Sequence, residues 1–63
     1  MNFKIILNIL SDGAWHKFDE LSTETRIEKD TVLKIVNFFK DFGIVEINII
    51  DETAKLDNDY RKL

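Results

Sequence analysis

The sequence predicts a small α/β (α+β) domain in which three helices precede an antiparallel β-hairpin. Apolar residues recur at helical spacing in two segments, residues 2–11 and 29–42. Over residues 44–57 the pattern changes to alternation of apolar and polar residues, which is typical of half-buried strands. We therefore expect residues 1–63 to form a single domain with a helical core and a small sheet.

The first helix is predicted to run from about Asn2 to Ser11. Its core-facing stripe consists of apolar residues at i, i+3, i+4 and i+7, namely Phe3, Ile6, Leu7 and Leu10. Ile5 and Ile9 lie beside this stripe, so the helix is expected to be buried on more than one face. Asp12-Gly13 ends the helix, because glycine readily adopts a positive φ.

A short aromatic segment and a second helix are expected next. Trp15 and Phe18 suit an extended link whose rings cover the core. Asp19 is a good N-cap for a helix over residues 20–25, and the acidic first turn suits the helix dipole. A turn at residues 26–27 follows.

The third helix is the most strongly patterned element, from about Lys29 to Phe42. Its apolar stripe comprises Val32, Ile35, Val36, Phe39 and Phe42. Gly43 directly follows the last apolar residue, where a glycine commonly ends a helix. Glu28 is a poor N-cap and Asp30 a good one, so the start is defined only to within two residues.

The alternating region is expected to form a hairpin whose turn is the dipeptide Asp51-Glu52. In the predicted register the apolar pairs are Ile49–Ala54 and Ile47–Leu56. The turn lacks the Gly or Asn that a two-residue hairpin loop prefers, which leaves an irregular loop as the alternative.

This order of elements resembles the winged helix-turn-helix domain family of small archaeal and bacterial transcriptional regulators. The stretches that carry the resemblance are Ile6–His16, Phe18–Ser22, Thr25–Ile27, Asp30–Val32, Ile35–Phe39, Phe42–Val45 and Ala54–Leu56. The resemblance implies a winged helix, which has a three-helix core with a small antiparallel β-wing. It also implies that double-stranded DNA is bound, with the third helix in the major groove. A minority of such domains mediate protein contacts instead.

Polar side chains opposite Val32 are the candidate DNA contacts. Asn37 suits an adenine edge, and Lys34 or Lys29 suits a guanine or a phosphate. The predicted DNA-binding residues are Lys29, Lys34, Asn37, Arg26, Lys17 and Lys40. The alternative for Lys34 and Asn37 is a plain solvated face of mixed charge, to which Asp30 and Asp41 also belong.

The charge distribution argues against tight DNA binding. The chain has 9 Lys+Arg and 12 Asp+Glu, a formal net charge of -3. Residues 29–41 hold three Lys and two Asp, whereas residues 44–57 hold four acids and one Lys. The predicted wing tip, Asp51-Glu52, is acidic, so we expect it not to touch DNA. The alternative function is a protein-interaction or dimerisation module that does not bind DNA.

A homodimer is expected because a chain of 63 residues buries barely enough apolar surface to fold alone. An apolar face left exposed in one copy would therefore be covered by a second copy. Its predicted interface comprises Ile5, Ile9, Tyr60 and Leu63. The alternative is that Ile5 and Ile9 simply complete the core of one copy.

The composition gives little support for catalysis. The chain has no Cys and one His, which excludes a disulfide framework and a Cys-based zinc finger. His16 lies near Ser11 and Asp12, but so small a domain offers little pocket, and no glycine-rich phosphate loop is present. We expect no enzyme activity, no cofactor and no metal. The absence of a signal-peptide pattern and of a long apolar span predicts a cytoplasmic protein with no membrane partner.

Overall fold

The computed structural model describes the backbone of residues 3–61 and the side chains of residues 3–60. The helices are α1 (Phe3–Leu10), α2 (Phe18–Thr25), α3 (Lys29–Asp41) and α4 (Asn58–Arg61). The strands are β1 (His16–Lys17), β2 (Val45–Asn48) and β3 (Thr53–Leu56). They form one antiparallel sheet in the order β1-β3-β2. The predicted α+β class is confirmed, and β1 adds a third strand to the expected hairpin.

One core joins α1, α2 and α3 to the sheet. Its buried apolar side chains are Ile6, Leu10, Phe18, Leu21, Val32, Ile35, Val36, Phe39, Val45, Ala54 and Leu56. The helical spacing predicted most of those in α1 and α3. Within the part of the chain that the structure describes, no helix has the length and apolar character needed to cross a bilayer.

The end of α3 corrects the prediction that Phe42 belongs to the core. Phe42 is the C-cap and is 68% exposed, because the helix ends at Asp41 and the chain turns away. Gly43 adopts φ 74°, as predicted for a terminating glycine. Its N–H donates to Lys40, and the N–H of Ile44 donates to Phe39, which is the Schellman arrangement.

The sequence predicts that the ring of Trp15 covers the core, and this prediction is wrong. It precedes β1 and is 47% exposed. The ammonium group of Lys55, on the adjacent strand β3, lies 5.3 Å from its ring centroid. Trp15 therefore lies beside Lys55 of the central strand β3 and is not part of the buried core.

The start of α2 differs from the expected Asp19 cap. The helix begins at Phe18 with Lys17 as its N-cap residue, and Lys17 makes no capping side-chain hydrogen bond. Lys17 is paired with Thr53 in the sheet, so the chain passes directly from strand to helix. The N–H of Phe18 donates to the carbonyl of Glu52 at 2.9 Å. Asp19 lies within the first turn, where its charge still suits the dipole.

The hairpin register differs from the predicted one by two residues. The observed pairs are Val45–Leu56, Glu46–Lys55, Ile47–Ala54 and Asn48–Thr53. The connection is therefore the four-residue β2–β3 loop, Ile49–Glu52, rather than a two-residue turn. Asn48 closes this loop with hydrogen bonds to the backbone and side chain of Asp51, and Glu52 adopts φ 56°. A shift of two residues leaves each side chain on its predicted face of the sheet.

Candidate nucleic-acid interface

The orientation of α3 is set by a three-residue connection from α2. Arg26 adopts the left-handed conformation at φ 60° and ψ 27°. The Ser22 hydroxyl donates to the carbonyl of Ile27 at 2.6 Å. The Thr25 hydroxyl donates to the carbonyl of Leu21 and accepts from the N–H of Ile27. These bonds order the backbone of the connection between α2 and α3.

The outer face of α3 remains free of packing against the rest of the fold. Its exposed polar residues are Asp30, Lys34, Asn37, Lys40 and Asp41. Among the described residues, neither Lys34 nor Lys40 makes an ion pair. The predicted cluster of Lys34, Asn37 and Lys40 thus lies on one exposed helix surface.

Lys29 has a different environment from the other predicted cations. Its ammonium group lies 3.1 Å from Oδ1 of Asp19 and 3.0 Å from Oε1 of Glu52. Hydrogen bonds to Glu52 and to Asp19 raise the pKa of Lys29 above its ordinary value. The three side chains together carry one negative charge. Lys29 therefore connects α3 to α2 and to the β2–β3 loop, and it adds no net positive charge there.

The remaining two predicted DNA contacts lie outside α3. Lys17 is exposed on β1, and Arg26 is exposed in the connection between α2 and α3. Neither makes an ion pair with the other described residues. Of the predicted DNA contacts, Lys17, Arg26, Lys34 and Lys40 therefore make no ion pair among the residues that the structure describes.

The β2–β3 loop carries apolar and acidic side chains. Ile49 is 78% exposed and Ile50 is 93% exposed, and Asp51 and Glu52 follow them. Between this loop and α3 lies a groove of about 350 Å³, lined by Phe18, Leu33, Asn37, Ile47, Ile49 and Glu52. The sequence pattern missed this groove, because the predicted register paired Ile49 within the sheet.

The predicted dimer interface is only partly exposed. Ile5 is 37% exposed and Tyr60 is 39% exposed. Ile9 is half-buried and packs against the core, as the monomer alternative expects. Leu63 lies outside the described residues.

The side chain of His16, on β1, is hydrogen-bonded at both ring nitrogens. Its Nδ1 lies 2.5 Å from Oε2 of Glu20, and its Nε2 lies 2.9 Å from Oδ1 of Asp12. Burial alone lowers the pKa of His16, but the hydrogen bonds and charges of Glu20 and Asp12 outweigh it and raise the pKa. Across the described residues, no group of three or more His, Cys, Asp or Glu side chains is arranged to hold a metal.

Comparison of this chain with protein-family models, with curated proteins and with solved structures finds no match in any of the three.

Proposed function

We propose that the chain is a winged-helix module of the transcriptional-regulator type that binds double-stranded DNA with α3 in the major groove. The observation that carries the proposal is the exposed face of α3. This face bears the exposed side chains of Lys34, Asn37 and Lys40. A three-residue connection with side-chain hydrogen bonds from Ser22 and Thr25 joins α3 to α2. The sheet order β1-β3-β2, with α3 leading into the β2–β3 hairpin, supports the winged-helix assignment.

The proposed contacts divide into base reading and phosphate binding. Asn37 has the amide that pairs with an adenine edge, and Lys34 suits either a guanine or a phosphate. Lys17, Arg26 and Lys40 supply phosphate contacts. Four cations correspond to a salt slope of at most about -3.6 for one copy, since each neutralised phosphate contributes about 0.9. Binding by a single copy is therefore expected to be weak and salt-sensitive.

The β2–β3 loop is excluded from the proposed contact. Asp51 and Glu52 would be repelled by phosphates, and Ile49 and Ile50 offer no hydrogen bonds to them. The proposed interface is thus α3 with its neighbouring cations, without the contribution that a basic wing provides.

Fluorescence anisotropy with a labelled duplex of mixed sequence tests this proposal. The variant Lys34→Gln/Lys40→Gln is expected to weaken binding at low salt by at least about tenfold and to reduce the salt slope by about 2. The matched control is Lys55→Gln, which removes a cation already engaged with Glu46 and Trp15 on β3. Equal losses in both variants, or no binding by the wild type at low salt, would contradict the proposal.

A second candidate function is docking of a protein segment in the groove between α3 and the β2–β3 loop. The exposure of Ile49 and Ile50 beside Asp51 and Glu52 favours a segment with an apolar anchor and basic flanking residues. An NMR-monitored titration with model peptides that carry an apolar anchor and basic flanking residues distinguishes peptide docking from DNA binding. Ile49→Ser should abolish peptide binding and leave DNA binding unchanged.

A further inference from the structure

A second surface of the protein is formed by a cluster of exposed phenylalanines. Phe3, Phe38 and Phe42 are 45%, 52% and 68% exposed. The ring centroids of Phe3 and Phe38 are 6.3 Å apart, and those of Phe38 and Phe42 are 4.9 Å apart. The buried ring of Phe39 packs edge-on against both Phe3 and Phe38. These three exposed rings, the phenylalanine surface, join the start of α1 to the C-terminal half of α3.

The phenylalanine surface contains an open cavity beside a projecting ring. The cavity has a volume of about 210 Å³ and is lined by Phe3, Thr31, Lys34, Ile35 and Phe38. For comparison, an apolar protein cavity of about 150 Å³ accommodates benzene. Phe42 does not line the cavity but lies one helical turn beyond Phe38. The same surface therefore offers both a phenyl group and a space that can receive one.

We infer that two copies of this chain associate through the phenylalanine surface, with Phe42 of each copy in the cavity of the other. A two-fold interface requires a self-complementary surface, and a cavity next to a projecting ring meets that requirement. If the two α3 helices run antiparallel with Phe38 at the axis, residue 42 of one copy lies opposite residue 34 of the other. That places the ring of Phe42 beside Lys34 and Ile35, which line the cavity.

Charge is compatible with a second copy at this surface. The chain carries -3 overall, so two copies repel each other at long range and need an apolar or oppositely charged contact to associate. The phenylalanine surface is bordered on α3 by Lys34 and, near its C-terminal end, by Asp41. In the antiparallel arrangement Lys34 approaches the C-terminal end of the other α3. There both Asp41 and the negative end of the helix dipole attract it.

The exposed area indicates a weak, reversible dimer. Taking about 200 Å² per ring, the three phenylalanines expose about 330 Å² in each copy. Two copies would bury about 660 Å² from the rings alone, against about 1,200–2,000 Å² for a stable interface. Thr31 and Lys34, which line the cavity, would be covered as well. Because Lys34 is also a proposed DNA contact, association through this surface and DNA binding through Lys34 exclude each other. This interface differs from the one predicted from the sequence, which lies at Ile5, Ile9 and the C-terminal tail.

Sedimentation equilibrium without DNA tests the inference independently of the proposed function. Over protein concentrations from about 10 μM to about 1 mM, the wild-type mass should rise from 7.4 kDa towards twice that value. Phe42→Ser should weaken association at least about tenfold. Because Phe42 is largely exposed at the helix end, this variant should retain its fold, which far-UV circular dichroism checks. Ile50→Ser is the matched control, since it makes a similar apolar-to-polar change at a 93% exposed site, and it should associate like the wild type.

A charge variant tests the orientation of the two copies. Lys34→Glu should weaken association, and the double variant Lys34→Glu/Asp41→Lys should recover part of the loss. Three results would overturn the inference. These are a wild type that stays monomeric throughout, association unaffected by Phe42→Ser, and association abolished by Ile5→Ser but not by Phe42→Ser.

Discussion

Lys29 and Glu52 connect the first turn of α3 to the β2–β3 loop, with 3.0 Å between Nζ and Oε1. Asp19 of α2 holds the same ammonium group from another side at 3.1 Å. Three separate elements thus meet at one cation. We infer that Lys29 positions the loop and α2 relative to α3 and that its charge is not available to phosphates.

Removing the carboxylates around Lys29 should strengthen DNA binding. In Asp19→Asn/Glu52→Gln the ammonium group becomes free to neutralise a phosphate, and two repelling charges are lost. Nonspecific affinity at low salt is expected to rise, and the salt slope should steepen by about 0.9. Anisotropy titrations over a range of salt concentrations measure both quantities. An unchanged slope would show that Lys29 lies too far from the duplex to contribute.

Protonation of His16 should stabilise the fold. Because Glu20 and Asp12 raise its pKa in the folded state above the ordinary value of 6.5, the charged ring favours folding. The stabilisation is fully present below about pH 6.5 and is lost as the pH rises through the folded-state pKa. Urea unfolding at several pH values should show this decrease, and His16→Gln should remove it. NMR titration of the single histidine gives the pKa directly, and a value at or below 6.5 would contradict this account.

Leu10 is expected to be among the most sensitive positions of the core. Its side chain is 0% exposed, so Leu10→Ala should cost about 2–5 kcal/mol. A chain of this length has a total stability of only about 3–9 kcal/mol, so the variant should lose a large share of its free energy of unfolding. Ile5→Ala, at a 37% exposed position of the same helix, should cost much less. Thermal unfolding, monitored by circular dichroism, compares the stability of the two variants. Similar losses of stability in Leu10→Ala and Ile5→Ala would contradict the difference in burial between these positions.

The C-terminus of α3 depends on the backbone conformation of Gly43. A Cβ atom added there meets no atom within 4 Å, so the effect of substitution comes from φ 74° alone. Gly43→Ala should therefore destabilise the fold by about 1–2 kcal/mol. Gly43→Asn should cost less, since asparagine tolerates this conformation. Denaturant unfolding measures the stability of both variants, and Gly43→Asn should be the more stable of the two. Equal stabilities of the two variants would show that residue 43 does not keep its left-handed conformation.

Helical periodicity predicted the buried faces of α1 and α3, because Ile6 and Leu10 in α1, and Val32, Ile35 and Val36 in α3, recur at the spacing of one helix face. The same periodicity misplaced Phe42, since an apolar pattern does not show where a helix ends. The predicted hairpin register was wrong because the Asn48 side chain, which donates to the Asp51 carboxylate and accepts from the Asp51 N–H, closes a longer loop. The ion pairs of Lys29 were not predictable, because its partners come from two other elements of the fold.

The measurement that tests the DNA-binding proposal most directly is an NMR titration of the labelled protein with a short duplex at low salt. Backbone resonances of Lys34, Asn37 and Lys40 should shift most, together with those of Lys17 and Arg26. Resonances of the β2–β3 loop should change little. Shifts centred on Ile49 and Ile50, or no shifts at all, would contradict binding through α3.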